Sequence, residues 1–227
     1  MSIKLGINGL GRIGKLVLRL TLAQNNIEVV HINDMMNTEL MAHLLKYDSI
    51  HGKLNASVTF DDNHIIINDK PIRVTNATQP TEIPWEETGT EFVVDSSGRF
   101  KTYSTLEGHL KHGVKKVVLS CPPDDYSIER VVVMGVNQNT ILPSDRIISN
   151  ASCTTNCVAI MLKVLLNEFG IENAFMNTIH PTTNNQNLQD GYHSDYRRAR
   201  SAINNIIPTT SSAVRSVHRI FPELKEK

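Results

Sequence analysis

The sequence predicts an α/β protein built on a doubly wound parallel sheet. Three observations carry the prediction: short apolar runs of strand length, helical-period segments alternating with them, and a glycine-spaced turn where the first run meets the first helix. The first run holds Ile3, Leu5 and Ile7 and leads into Asn8-Gly-Leu-Gly-Arg-Ile-Gly14, after which Ile13, Leu16, Val17 and Leu20 recur at helical spacing. A second strand is expected over Glu28 to Asp34 and a second helix from about Thr38 to Tyr47, which completes a β-α-β start. Between Val58 and Val74, two β-rich runs flanking Asn68-Asp69-Lys70 predict a hairpin on the sheet edge. Further strands are expected at Phe92 to Asp95, Lys116 to Ser120 and Ile147 to Ser149, with a helix from about Thr105 to His112.

After Asn150 the pattern changes. A helix is expected from about Cys153 to Glu168, carrying Ile160, Met161, Val164 and Leu165, followed by a strand from Ala174 to Ile179. Residues 181 to 205 are rich in Asn, Thr, Arg and Ser with little periodicity, and read as a long loop of the kind that is functional or disordered. A last helix is expected over Ser211 to Ile220.

Composition narrows the function classes. The 227 residues are 40% hydrophobic, enough for a large core, and the 23 basic side chains match 23 acidic ones. A zero net charge gives no electrostatic basis for a nucleic-acid or anionic-membrane partner. No apolar run approaches the roughly 18 residues of a membrane span, and Met1-Ser2-Ile3-Lys4 leads into a strand rather than a signal peptide, so a cytoplasmic protein is expected. Three cysteines, Cys121, Cys153 and Cys157, are too few and too bunched for a disulfide framework.

Two constellations carry chemistry. Gly9, Gly11 and Gly14 follow a strand and open a helix, where free backbone N–H groups and the helix dipole suit a pyrophosphate. Asp34, 20 residues beyond Gly14 at the end of the second strand, is placed to accept from the adenosine ribose hydroxyls and to repel a 2′-phosphate, which favours NAD over NADP. The alternative is a solvent-facing turn aspartate. The second constellation is Cys153 at the mouth of a helix, where the thiolate is favoured, with His180 at the end of the next strand as its base and later proton donor. From these two residues alone, a buried cysteine and an unrelated histidine stay equally open. Cys157, one turn on, reads as core, and the C-x3-C spacing is unlike that of structural zinc sites, so no metal is expected. Thr154, Thr183, Ser211 and Ser212 offer hydroxyls, and Arg197, Arg198 and Arg200 offer guanidinium forks suited to phosphate.

Four segments, Ile7 to Gly14, Leu44 to Gly52, Ser149 to Cys157 and Asn205 to Thr210, resemble the phosphorylating glyceraldehyde-3-phosphate dehydrogenases and their sister erythrose-4-phosphate dehydrogenases, a likeness spanning nearly the whole chain. The resemblance implies a Rossmann-type NAD-binding domain over residues 1–150 and the first part of an α+β catalytic domain over 151–227, because members continue well past Lys227. It implies that Cys153 attacks an aldehyde, that His180 takes the proton, and that inorganic phosphate releases the thioester as an acyl phosphate. Arg12 and Ile13 then lie on the pyrophosphate, Asp34 on the ribose, and Ser97 and Ser120 near the cofactor. Ser152, Cys153, Thr154, Thr183, Arg198, Ser211 and Ser212 match positions that hold substrate or phosphate, and a homotetramer is implied, built partly through the 181–205 loop. Departures from the pattern are Thr78 for an arginine beside the adenine, Asn185 for aspartate, Ser211-Ser212 for Thr-Gly, and Pro181 after His180. The run Tyr192 to Arg198 is closer to the erythrose-4-phosphate enzymes and Asp34 to the glyceraldehyde ones. A truncated, catalytically silent NAD-binding module is the reading from a different class.

Overall fold

The computed structural model describes residues 2–225 except 112 and 129. In chain order, β1 (Ile3–Asn8), α1 (Arg12–Thr21), β2 (Ile27–Asn33) and α2 (Thr38–Lys46) form the opening β-α-β-α unit. A two-stranded ribbon of β3 (Tyr47–Asp48) and β4 (Gly52–Lys53) follows, then β5 (Val58–Phe60), β6 (His64–Ile67) and β7 (Lys70–Thr75). Next come β8 (Phe92–Asp95), the short α3 (Tyr103–Leu106), β9 (Lys116–Leu119), β10 (Arg130–Val131) and β11 (Ile147–Ser149), and finally α4 (Cys153–Glu168) and α5 (Ala213–Ile220).

Among the described residues nine strands form one sheet, in the order β10-β11-β9-β8-β1-β2-β7-β6-β5. The seven from β10 to β7 are mutually parallel; β6 and β5 add antiparallel at one edge. The edge hairpin turns at Asn68 and Asp69, both left-handed at φ 47° and 65°, the turn geometry whose twist matches paired antiparallel strands. The chain starts at the centre, builds outward through β2 and β7, then returns to lay β8 on the other side of β1. That reversal opens a crevice at the carboxyl ends of the strands.

One hydrophobic cluster packs Leu5, Ile7 and Ile32 of the sheet with Leu18, Met41 and Leu45 of the helices, and a second gathers Val93, Val117, Leu119 and Ile147 with Trp85 and Leu106. A third joins Val131 and Val133 to Ala159 of α4 and to Val217, Phe221 and Leu224, so the last two helices seat against the β10 end of the sheet.

Four expectations are corrected. Residues 174 to 179 form no strand: among the described residues nothing pairs with their backbone, and Phe175 and Ile179 stand 95% and 96% exposed. A strand exists only through its ladder partners, which local β-propensity cannot supply. The helix expected over 105–112 starts earlier, at Tyr103, because Thr102 caps it, and passes into a tighter turn at Glu107–His109; His112 lies outside the described residues. The last helix starts at Ala213, not Ser211. Cys157 is exposed rather than core, because the inward face of α4 follows Thr155, Ala159, Leu162 and Leu166; Ile160, Met161, Val164 and Leu165 fall on the outward side.

Candidate active site

The turn after β1 shows why two of its glycines, Gly9 and Gly14, are needed. Gly9 has φ 91° and its α-carbon faces the backbone of Ser97, so a β-carbon there meets Ser96 and Ser97. A β-carbon on Gly14 overlaps the Gly9 carbonyl oxygen, which is already held by the Ser96 hydroxyl at 2.6 Å. The turn therefore closes tightly on itself, and Gly11 stands at the N-cap of α1 with no side chain to cap it, leaving the first N–H groups of the helix for a ligand.

A crevice of about 180 Å³ lies over this turn. Its walls come from the carboxyl ends of four parallel strands: Asn8, Gly9 and Gly11 after β1, Asn33, Asp34 and Met35 after β2, Ala77 and Thr78 after β7, and Ser96, Ser97, Arg99 and Phe100 after β8. Asp34 uses Oδ2 to accept from the Leu10 N–H at 2.6 Å and Oδ1 to accept from the Met36 N–H at 2.9 Å, so its carboxylate is oriented by the turn it faces. Gly9, Gly11, Asp34 and Ser97 thus converge. Arg12 does not line the crevice; its guanidinium turns to Asp48 and its hydrogen bond holds that carboxyl well below the usual carboxylate range. Ile13 is half exposed beside it on α1, and Ser120 closes β9, its N–H bonded to the Asp95 carbonyl at 2.9 Å. Asn8, Asn33, Ala77, Ser96, Arg99 and Phe100 escaped the sequence reading; each ends or follows a strand that was itself predicted, so the rule that ligands sit at carboxyl strand ends was the signal that finds them.

The second centre forms at the N-terminus of α4. Ser152 caps the helix, its hydroxyl accepting from the Thr155 N–H at 2.9 Å, and the turn before it passes through Ala151 at φ 58°. Cys153 is the first helical residue, and its Sγ lies 3.1 Å from His180 Nε2. His180 Nδ1 donates to the Pro181 carbonyl at 2.8 Å, so the unusual proline after the histidine marks the group that orients its ring. Partial burial opposes the thiolate, but the hydrogen bond and charge of His180 and hydrogen bonds from Thr154 outweigh it and hold the Cys153 thiol below its ordinary pKa. His180 is correspondingly raised, first by its bond to the Pro181 carbonyl and then by Cys153. The pair favours thiolate and imidazolium together. Cys121, by contrast, is pushed up to about 11 by burial.

Of the expected anion holders, Ser152 and Thr154 flank Cys153, and Thr183, Arg198, Ser211 and Ser212 do not gather on the pair. Thr183 donates from its N–H and hydroxyl to Gln186 Oε1 at 2.8 and 3.0 Å, Arg198 bonds the Thr209 hydroxyl at 2.8 Å and the Thr210 carbonyl at 3.3 Å, and Ser211 accepts from the Ala213 N–H at 3.2 Å. Ser212 borders α5 beside Arg215 and Arg219. Among the described residues none of these four is hydrogen-bonded to Cys153 or His180; Thr183 is satisfied inside the 181–205 loop, and Arg198 by residues 209 and 210.

Residues 3–103 match the glyceraldehyde 3-phosphate dehydrogenase NAD binding domain and residues 152–227 the C-terminal domain of the same family. The chain is 46% identical over its full length to the glyceraldehyde-3-phosphate dehydrogenase of Priestia megaterium, spanning 68% of that protein. It is 48% identical over 99% of its length to glyceraldehyde-3-phosphate dehydrogenase 1 of Bacillus cereus, spanning 67% of it. It is 46% identical over 99% of its length to a chloroplastic glyceraldehyde-3-phosphate dehydrogenase of Arabidopsis thaliana, spanning 53% of it. With a glycine turn, a crevice at the carboxyl strand ends and a capped-helix cysteine paired to a histidine, the chain belongs to the glyceraldehyde-3-phosphate dehydrogenase family.

Proposed function

We propose that this chain carries the catalytic pair and cofactor crevice of an NAD-dependent, phosphorylating oxidation of a sugar-phosphate aldehyde, glyceraldehyde 3-phosphate to 1,3-bisphosphoglycerate. The observation that carries the reading is the 3.1 Å approach of Cys153 Sγ to His180 Nε2 at the N-terminus of α4. Cys153 thiolate adds to the aldehyde carbon, and the His180 imidazolium gives its proton to the carbonyl oxygen, forming a hemithioacetal. NAD, when bound, supplies the acceptor for the hydride that leaves this carbon. Neutral His180 takes back the hydroxyl proton as the thioester forms. Inorganic phosphate then attacks the thioester carbonyl, the Cys153 thiolate leaves, and an acyl phosphate is released.

The fit of the cofactor rests on the turn, where β-carbons at Gly9 and Gly14 have no room, and on the uncapped α1 N-terminus. Gly9, Gly11, Gly14, Arg12 and Ile13 are assigned to the pyrophosphate side, Asp34 to the ribose, and Ser97 and Ser120 to the remaining length. Ser152, Thr154, Thr183, Arg198, Ser211 and Ser212 are assigned to substrate and phosphate. Residues 1–150 form the NAD-binding unit and 151–227 part of the catalytic unit, in a cytoplasmic homotetramer that uses the 181–205 loop. No helix among the described residues is long and apolar enough to cross a membrane. A second reading, a silent NAD-binding module, draws on the self-satisfied loop around Thr183 and Arg198.

The test is NADH formation from glyceraldehyde 3-phosphate, NAD and phosphate, with erythrose 4-phosphate in parallel and Cys153→Ser as control. Cysteine-dependent turnover supports the enzyme, and the faster substrate names it. NAD binding without turnover replaces it by the silent module.

A further inference from the structure

Beneath the crevice runs a buried hydrogen-bond line whose direction is fixed by groups that have only one role to play. The Ala77 N–H donates to Asn33 Oδ1 at 2.8 Å, so the Asn33 amide nitrogen is the one that donates, at 2.9 Å, to Asn8 Oδ1. Asn8 Nδ2 must then donate to Asp95 Oδ2, at 2.7 Å. From the other side the Trp85 indole, a donor only, gives its proton to His109 Nδ1 at 3.2 Å, so the His109 proton sits on Nε2 and is donated to the same Asp95 oxygen at 3.1 Å. The Ser97 N–H and hydroxyl both donate to Asp95 Oδ1, at 3.1 and 2.8 Å. Four donors meet one carboxylate. Asp95 and His109 side chains are wholly buried, so no water relieves a mismatch.

Asn8, Asn33, Ala77 and Ser97 all line the crevice, and they stand at the ends of β1, β2, β7 and β8. We propose that Asp95 is the positioning residue of the cofactor crevice: its carboxylate is the single acceptor on which both ends of this line terminate, and it holds the four strand ends in register for the dinucleotide. The inference rests on the NAD reading and adds to it residues that do not touch the crevice, His109 and Trp85. An amide at position 95 satisfies the site in neither orientation. With its NH2 toward Ser97 the hydroxyl can turn to accept but the Ser97 N–H loses its acceptor; with its NH2 toward Asn8 and His109 it meets two donors, and His109 cannot reverse its tautomer while Trp85 donates to Nδ1.

The experiment titrates NAD into the full 227-residue chain and three variants, Asp95→Asn, His109→Leu and His109→Gln, and follows Cys153 alkylation alongside. Asp95→Asn is expected to weaken NAD binding about tenfold or more, and His109→Leu several-fold, while His109→Gln, which keeps a donor toward Asp95, recovers most of the affinity. The alkylation rate of Cys153, on a separate element, stays at the parent value throughout. A folded Asp95→Asn protein that binds NAD as tightly as the parent overturns the inference. If Asp95→Asn does not fold, equal affinities for the leucine and glutamine variants at position 109 overturn it. A parent chain that fails to bind NAD overturns the cofactor reading and the inference with it.

Discussion

At the scale of single residues, the chemistry depends on how neighbours set two protonation states. Cys153 is lowered and His180 raised, so both shifts move the pair toward thiolate and imidazolium; the thiolate is lost when pH falls through the Cys153 pKa, and the imidazolium when pH rises through that of His180. Replacing His180 by Gln removes the main groups that favour the thiolate. Alkylation of Cys153 by iodoacetamide at neutral pH is expected to slow by about tenfold, with its pH profile displaced upward, while Cys121, pushed up to about 11, stays sluggish in both proteins. Gly14 is decided by space. An alanine there meets the Gly9 carbonyl, a backbone atom that cannot step aside, so Gly14→Ala is expected to cost about 2–3 kcal/mol in denaturant unfolding and to abolish measurable NAD binding.

At the scale of elements, helix mouths and strand ends do the placing. Ser152 caps α4 and sets Cys153 in its first turn, and the uncapped start of α1 leaves donors over the crevice. The helix mouth at Cys153 and the glycine-spaced turn after a strand are local signals and were read from the sequence; the Ser152 cap came with the structure. The sheet edge is built as locally. Asn68 and Asp69 carry the left-handed turn between β6 and β7, and Asp69→Gly relieves the side-chain penalty at φ 65°; a gain of about 0.5–1 kcal/mol in thermal or denaturant stability is expected. A loss instead shows that the Asp69 side chain contributes to the turn. The segment at 174–179 shows the limit of such signals: its residues favour a strand, yet extended chain without a neighbour has no ladder.

For the whole molecule, the buried polar groups under the crevice tie stability to pH. His31 is fully buried, its Nε2 3.0 Å from the Thr75 hydroxyl, and burial lowers its pKa to about 4. The unfolded chain binds this proton from its ordinary value near 6.5 downward, while the folded protein refuses it until about 4. Stability is therefore undiminished above pH 6.5, falls as pH drops through the window between those values, and the full loss is of the order of 3 kcal/mol. Chemical unfolding midpoints measured across that window are expected to decline, and His31→Gln is expected to flatten the slope there. An unchanged slope in the variant shows that another group carries it.

The sequence by itself determined the β-α-β start, the strands that became β8, β9 and β11, the span of α4 from Cys153 to Glu168, and the identities of Gly9, Gly14, Asp34, Cys153 and His180 as the residues to watch. Each is written in a period or spacing that spans a few residues. Only the tertiary structure decided the strand order around β1, the crevice walls from Asn33, Ala77 and Phe100, the turn of Arg12 toward Asp48, and the convergence of Asn8, Ser97 and His109 on Asp95. Those facts join residues up to 87 positions apart. A periodicity records which face of an element is apolar; which element covers that face, and which polar group completes a buried hydrogen bond, depends on packing the whole chain at once.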